Sequence, residues 1–238
     1  MKLDILAIGV HPDDIELSCA GTILKEIAAG KKVGVLDLTQ GELGTRGSAE
    51  LRLKEASASA DILGLSCREN LGMEDGFFQN EEKNIRAIAT ILRKYKPDIV
   101  LANAIEDRHP DHGRAAKLIA DACFYSGLRR IETEVDGEAQ SAWRPKAIYH
   151  YIQDYFIKPD FIVDITSHVD TKFEAIRAFG SQFYDPDSKE PESPISVANF
   201  DEYLNGRMAQ MGRYIGVDFG EGYILSRPAG VDSLTDLR

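Results

Sequence analysis

The chain has 238 residues, 43% hydrophobic and 28% charged, an ordinary globular balance that supports a sizeable core in one α/β domain. A formal charge of −11 at pH 7 excludes the basic stripe of a nucleic-acid binder and disfavours docking on anionic lipid. Three widely spaced cysteines, Cys19, Cys67 and Cys123, form no CxxC pair, and no membrane-length apolar run or signal-peptide pattern is seen, so a cytoplasmic, soluble protein with reduced thiols is expected.

Residues 3–10 (LDILAIGV) are a nearly continuous apolar run, the mark of a strand covered on both faces. Ile15, Ala20, Ile23, Leu24, Ile27 and Ala28 then follow helical spacing, and Gly30 closes that helix. "KKVGVLDLT" (31–39) reads as a second buried strand, and the glycine-rich "QGELGTRG" leads into a helix over about 49–63. "CRENLGM" is read as a third strand. Over 81–96, Ile85, Ile88, Ala89 and Leu92 share one face of an amphipathic helix that Pro97 ends. "DIVLANA" (98–104) is the fourth strand, and after "IEDRHPDHG" a helix is expected over about 114–126.

Beyond residue 127 the rhythm loosens. A polar loop precedes the strands "KAIYHYI" and "DFIVDI", helices are expected over 168–182 and 200–214, and the proline-rich segment 184–194 reads as an exposed, mobile loop. The β–α alternation predicts a Rossmann-like, mostly parallel sheet with helices on both faces. The chain is taken as one domain, in which 1–126 carry the metal site and 127–238 shape the substrate pocket and the assembly.

Ligands of open parallel sheets gather beyond the carboxyl ends of the strands. "HPDD" follows the first strand and "EDRHPDH" the fourth, so short loops are expected to bring them together. His11 and Asp14, three apart at a strand-to-helix turn, can converge on one divalent ion, and one histidine of "HPDH" completes a His2Asp set with a position left for water. Asp13 is then free to take a proton from that water, and the other histidine to protonate a leaving group or steady negative charge. Asp111 is expected to orient His109 by a hydrogen bond. The pattern predicts metal-assisted hydrolysis, and the same ligands suit Zn²⁺, Fe²⁺ or Co²⁺. His150 and His168 lack such company and are read as structural. The glycine-rich loop lacks GxGxxG and GxxxxGK spacing, so it reads as a shaped wall of the site.

"HPDD" after the first strand, "GELGTRG" after the second, "ELR" at the next helix and "HPDH" after the fourth resemble the LmbE-like (PIG-L) family of metal-dependent N-deacetylases, which act on N-acetylglucosamine (GlcNAc) conjugates. Order and spacing match over about 3–126, and "SQF" (181–183) and "GEGY" (220–223) are similar to the family's C-terminal part. The resemblance implies His11, Asp14 and His112 as ligands of zinc, with Fe²⁺ as the alternative in vivo. It implies Asp13 as general base and His109, partnered by Asp111, as the acid or oxyanion-stabilising residue. Arg52 and Asp75 fall where relatives hold sugar hydroxyls or the aglycone, and Arg108, beside the site, is expected to bind substrate with them.

Compact length and the "HPDDIE" form are most similar to the bacillithiol-biosynthesis deacetylases, which remove acetate from N-acetylglucosaminyl malate. An arginine suits malate because its planar fork grips a carboxylate in two places. Phe200 falls near the place where those relatives carry a pocket tyrosine. The alternatives are another GlcNAc conjugate (a chitooligosaccharide, or an inositol- or lipid-linked sugar) and, from another class, a Mg–nucleotide module, which histidine pairs do not favour. Phe77, Phe78, Phe124 and Tyr125 are read as core or subunit contacts, in keeping with a homo-oligomer, trimer or hexamer.

Overall fold

Strands β1 (Ile5–Gly9) and β2 (Val33–Thr39) are buried along their whole lengths, as unbroken apolar runs require, and helix α1 (Asp14–Ala28) joins them. The computed structural model that gives this arrangement describes residues 1–236, so the last two positions of the expected C-terminal half lie outside the described residues. Helix α2 (Ala49–Leu63) starts at Ser48, whose hydroxyl accepts from the Leu51 N–H, and stops at Gly64 in the left-handed conformation. Strand β3 (Cys67–Met73), helix α3 (Glu82–Tyr95), strand β4 (Ile99–Ala102) and helix α4 (Pro110–Ser126) complete the first half. A hairpin of β5 (Glu134–Val135) and β6 (Glu138–Ala139) follows, then β7 (Ala147–Tyr151), β8 (Phe161–Asp164), α5 (Val169–Arg177), α6 (Phe200–Ile215) and β9 (Gly220–Leu225).

Seven strands form one sheet in the order β3-β2-β1-β4-β7-β9-β8. Pairings from β3 through β7 are parallel, whereas β9 runs antiparallel to both β7 and β8. Alternate residues of β1 feed opposite cores: Leu6 and Ile8 pack with α3 and α4, and Ile5 and Ala7 pack with Ile15, Cys19 and Ile23 of α1. The chain therefore leaves β1 toward one face and β4 toward the other, and these two strands are neighbours. That divergence opens a crevice at their carboxyl ends. Among the described residues no helix is long and apolar enough to cross a membrane.

Three boundaries differ from expectation. Helix α4 begins at Pro110, about four residues early, because His109 caps it and proline at the first position has no N–H to satisfy. Helix α5 ends at Arg177, and the chain then turns to bury Phe179 and Phe183 against Phe200. Strand β9 was not expected from pattern. Its Gly220 and Gly222 lie so close to α6 that an added Cβ would meet Met211 or Gly212 atoms at 3.1–3.2 Å. Of the four aromatics singled out, Phe78 joins the core while Phe77, Phe124 and Tyr125 are exposed.

The C-terminal part is bolted to α1 by a buried ion pair. Glu221 accepts from Lys172 Nζ at 2.6 Å, from the Gly21 and Thr22 N–H groups at 3.0 and 2.7 Å, and from the Thr22 hydroxyl.

Candidate active site

The β1–α1 turn presents His11, Asp13 and Asp14, all buried, and the first turn of α4 presents Asp111 and His112 with His109 as its cap. Asp14 is held on one side by main chain. Its Oδ2 accepts from the Val10 and His11 N–H groups at 2.9 and 3.1 Å and from Asn103 at 3.0 Å. Its Oδ1 lies 3.2 Å from His112 Nε2, and its Oδ2 lies 3.9 Å from His11 Nδ1. The three residues expected to share a cation thus converge.

An ionised carboxylate can only accept hydrogen bonds, which fixes the ring protons. His11 donates from Nε2 to Asp75 Oδ1 at 3.0 Å, and His112 donates from Nδ1 to Asp107 Oδ2 at 2.5 Å. In the neutral rings the remaining nitrogens, His11 Nδ1 and His112 Nε2, carry lone pairs aimed at the Asp14 carboxylate. Gln153 donates to both Asp14 Oδ1 and His112 Nε2, at 3.2 and 3.4 Å, as that assignment requires. Three acceptors facing one another demand a positive charge between them, and this donor set suits a divalent cation such as zinc.

The same attraction for positive charge appears in the titration: until a cation displaces them, protons occupy those two nitrogens, and Asp14 accepts from both rings. Burial opposes the imidazolium of His112, yet the Asp14 charge and the hydrogen bond to Asp107 raise its pKa to about 9. His11 is likewise raised against burial by Asp111, Asp14 and Asp75. Asp14 is pulled well below the carboxylate range against burial, by the charge of His112 and hydrogen bonds from His11 and His112. The nitrogens of His11, His109 and His112 also come within 4.8 Å of one another. His109 differs in that its Nδ1 accepts the Asp111 N–H at 3.3 Å. Burial and the charges of His11 and His112 lower its pKa, so the ring is neutral with its proton on Nε2, a donor.

Asp13 sits beside this cluster in a strained backbone conformation, φ 133°. Burial pushes its carboxyl up to about 6, against the pull of Arg52. Arg52 Nη2 donates to Asp13 Oδ2 and to the Pro12 carbonyl, both at 2.8 Å.

Several expected substrate contacts are engaged elsewhere. Arg52 is committed to Asp13, because a buried guanidinium needs a counter-ion close by. Asp75 stands behind His11, with its second oxygen on the Leu43 N–H at 3.0 Å. Arg108 reaches the cavity wall but is paired with Asp154 at 2.6 Å. The expected Asp111–His109 side-chain bond is absent. The Asp111 carboxylate accepts from Arg114 at 2.7 Å and from the Gly76 N–H at 2.9 Å, so only its backbone N–H reaches the His109 ring. Phe200 is buried and stacks on Tyr203, and it is Tyr203, one turn further along α6, that brings a hydroxyl to the cavity edge.

Asp107, Asn103 and Gln153 were not anticipated. They lie just past the ends of β4 and β7, where the rule for parallel sheets places ligands, and that rule is the signal that could have found them. His150, read as structural, is buried with Nδ1 on the Asn103 carbonyl at 2.8 Å. His11, Asp13, Asp14, Asp107, His109, His112 and Gln153 border one open cavity of about 440 Å³, a size typical of small-molecule sites.

The model of the GlcNAc-PI de-N-acetylase (PIG-L) family matches residues 6–123, a span that holds both site loops. Diacetylchitobiose deacetylase of Thermococcus kodakarensis is 30% identical over 228 residues, 92% of this chain and 81% of its own. The chain belongs to the PIG-L family. As the sequence resemblance implied, it is an enzyme of a deacetylase family with a mostly parallel α/β fold. A conserved protein of Thermus thermophilus superposes on this PIG-L chain with a TM-score of 0.85, 33% identity and 98% coverage of both chains. N,N'-diacetylchitobiose deacetylase from Pyrococcus horikoshii gives a TM-score of 0.80 at 31% identity, over 93% of this chain and 82% of its own. The probable N-acetyl-alpha-D-glucosaminyl L-malate deacetylase 2 of Bacillus anthracis is 25% identical over 75% of this chain and 81% of its own length.

Proposed function

We propose that the protein hydrolyses the N-acetyl group of a GlcNAc conjugate, with N-acetylglucosaminyl malate as substrate and glucosaminyl malate and acetate as products, the deacetylation step of bacillithiol biosynthesis. The carrying observation is the pair of imidazole lone pairs facing the Asp14 carboxylate, with Asp13 alongside, at the floor of an open cavity. Residues 6–123 supply this cluster, and the later residues contribute Gln153, Phe200 and Tyr203 to the cavity wall.

A zinc or iron(II) ion held by His11, Asp14 and His112 would act as a Lewis acid on the acetamide and lower the pKa of water nearby. Asp13 takes the proton of the attacking water as its oxygen bonds to the acetamide carbon. Its raised pKa brings it near the range of an effective general base. The neutral His109 ring offers its Nε2–H to the developing oxyanion. The proton held by Asp13 then passes to the sugar nitrogen, the C–N bond breaks, and acetate leaves. Arg52 keeps Asp13 aimed throughout, through the 2.8 Å ion pair.

Acetate release from N-acetylglucosaminyl malate and from N,N'-diacetylchitobiose tests the reading. A kcat/KM at least about tenfold higher on the malate conjugate supports it, a difference of about 1.4 kcal/mol in transition-state binding. The reverse order assigns the neutral disaccharide instead, a second reading favoured by the Thermococcus and Pyrococcus relatives. Removal of the metal with a chelator is expected to abolish turnover on either substrate, and re-addition of Zn²⁺ or Fe²⁺ to restore it.

A further inference from the structure

Four arginines line the cavity: Arg46, Arg52, Arg108 and Arg207. Three have their charge answered from within the chain. Arg52 pairs with Asp13 at 2.8 Å and Arg108 with Asp154 at 2.6 Å, while Arg46 donates to the Phe183 carbonyl at 3.0 Å and lies 3.6 Å from Glu190. Arg207 is different. It is half-buried on α6, and among the described residues no carboxylate pairs with it. Its guanidinium lies 5.5 Å from the ring centre of Tyr203, a cation–π contact that orients the fork and leaves it N–H groups to offer.

Asp154 and Glu221, which line cavities together with Arg207, are engaged elsewhere. Asp154 accepts from Arg108 and from the Tyr203 hydroxyl, and Glu221, across a second small cavity from Arg207, is held by Lys172 and Thr22. Ile195, Phe200 and Leu204 line the same cavity as Arg207. A half-buried cation with no carboxylate partner among the described residues, in a chain of net charge −11, is a receptor for an anion supplied from outside.

Resting on the deacetylase reading, we propose that Arg207, braced on Tyr203, anchors a carboxylate on the group attached to the sugar, and so selects acidic GlcNAc conjugates over neutral ones. The placement separates labour within the cavity. The His11–Asp14–His112 end takes the acetamide, and the α6 end takes the aglycone.

The test is calorimetric titration of the zinc-loaded protein with carboxymethyl glucosaminide and with its carboxamide. Both already lack the acetyl group, so neither is turned over. The acid is expected to bind about tenfold or more tightly than the amide, as charge-assisted hydrogen bonds give. Arg207→Gln is expected to erase that preference while the amide affinity stays within about twofold, and Arg207→Lys to retain part of it. Zinc content equal to wild type shows that each variant keeps its fold. Equal affinity for acid and amide in the wild type, or a preference that survives in Arg207→Gln, overturns the anchor. If neither glucosaminide binds, the sugar reading beneath it falls too, and the acetate-release assay records that failure separately.

Discussion

Asp13 occupies a backbone conformation that residues other than glycine adopt only under constraint, at a cost of about 1–3 kcal/mol. The constraint is visible: Asp14 is tied to three donors on one side, and Arg52 holds the Asp13 carboxylate on the other. Asp13→Asn keeps the shape and much of the Arg52 contact but cannot take a proton. Its kcat should fall by about 10²–10⁴ with metal content unchanged, read from acetate release and metal analysis. Asp107→Ala should do the opposite. With the bond to His112 Nδ1 gone, metal affinity should drop by about ten- to a hundredfold in a competition titration, while turnover at saturating metal is largely kept. At this scale the two clusters could be read from spacing, since histidine–acid motifs at two strand ends are distinctive, while the choice of His112 over His109 as ligand came from the family resemblance. Asp107 could not be picked out, because nothing in "IEDRHPDH" separates its wholly buried side chain from the exposed Glu106.

Elements formed by unbroken apolar runs matched their expected positions closely, β1, β2 and β4 above all. Misjudged elements were those whose shape comes from what they touch. The start of α4 is set by a histidine cap in the loop after β4, and β9 contains glycines that a pattern reads as loop. Glycine has the same meaning in the middle of α1. A Cβ on Gly21 would lie 2.8 Å from Ile165, so the helix rests directly on the segment after β8. Gly21→Val is accordingly expected to cost about 1–3 kcal/mol by overpacking, seen as a lower urea midpoint with the m-value unchanged.

Over the whole molecule, the meeting of residues 11 and 112 was foreseeable because adjacent strands that send their helices to opposite faces leave a crevice. The closure of the C-terminal half was not, since it depends on pairs such as Thr22–Glu221 that lie 199 positions apart. The Lys172–Glu221 pair lies within the C-terminal half, and both partners bond α1, Glu221 at Gly21 and Thr22 and Lys172 at the Leu17 carbonyl. Lys172→Met strands a buried carboxylate and should destabilise by about 3–5 kcal/mol in chemical denaturation. Adding Glu221→Leu should recover only part of the loss, because the Gly21 and Thr22 N–H groups and the Thr22 hydroxyl then lose their acceptor, and unfolding should remain a single transition in both variants.

Carboxylates stand behind both imidazoles of the cluster, so the rings are aligned by the scaffold and need no ion to find their places. A cation leaving that cluster would not take the fold with it, unlike the collapse of a zinc finger under chelation. Loading then becomes a reversible exchange with the surrounding pool and not a step of folding.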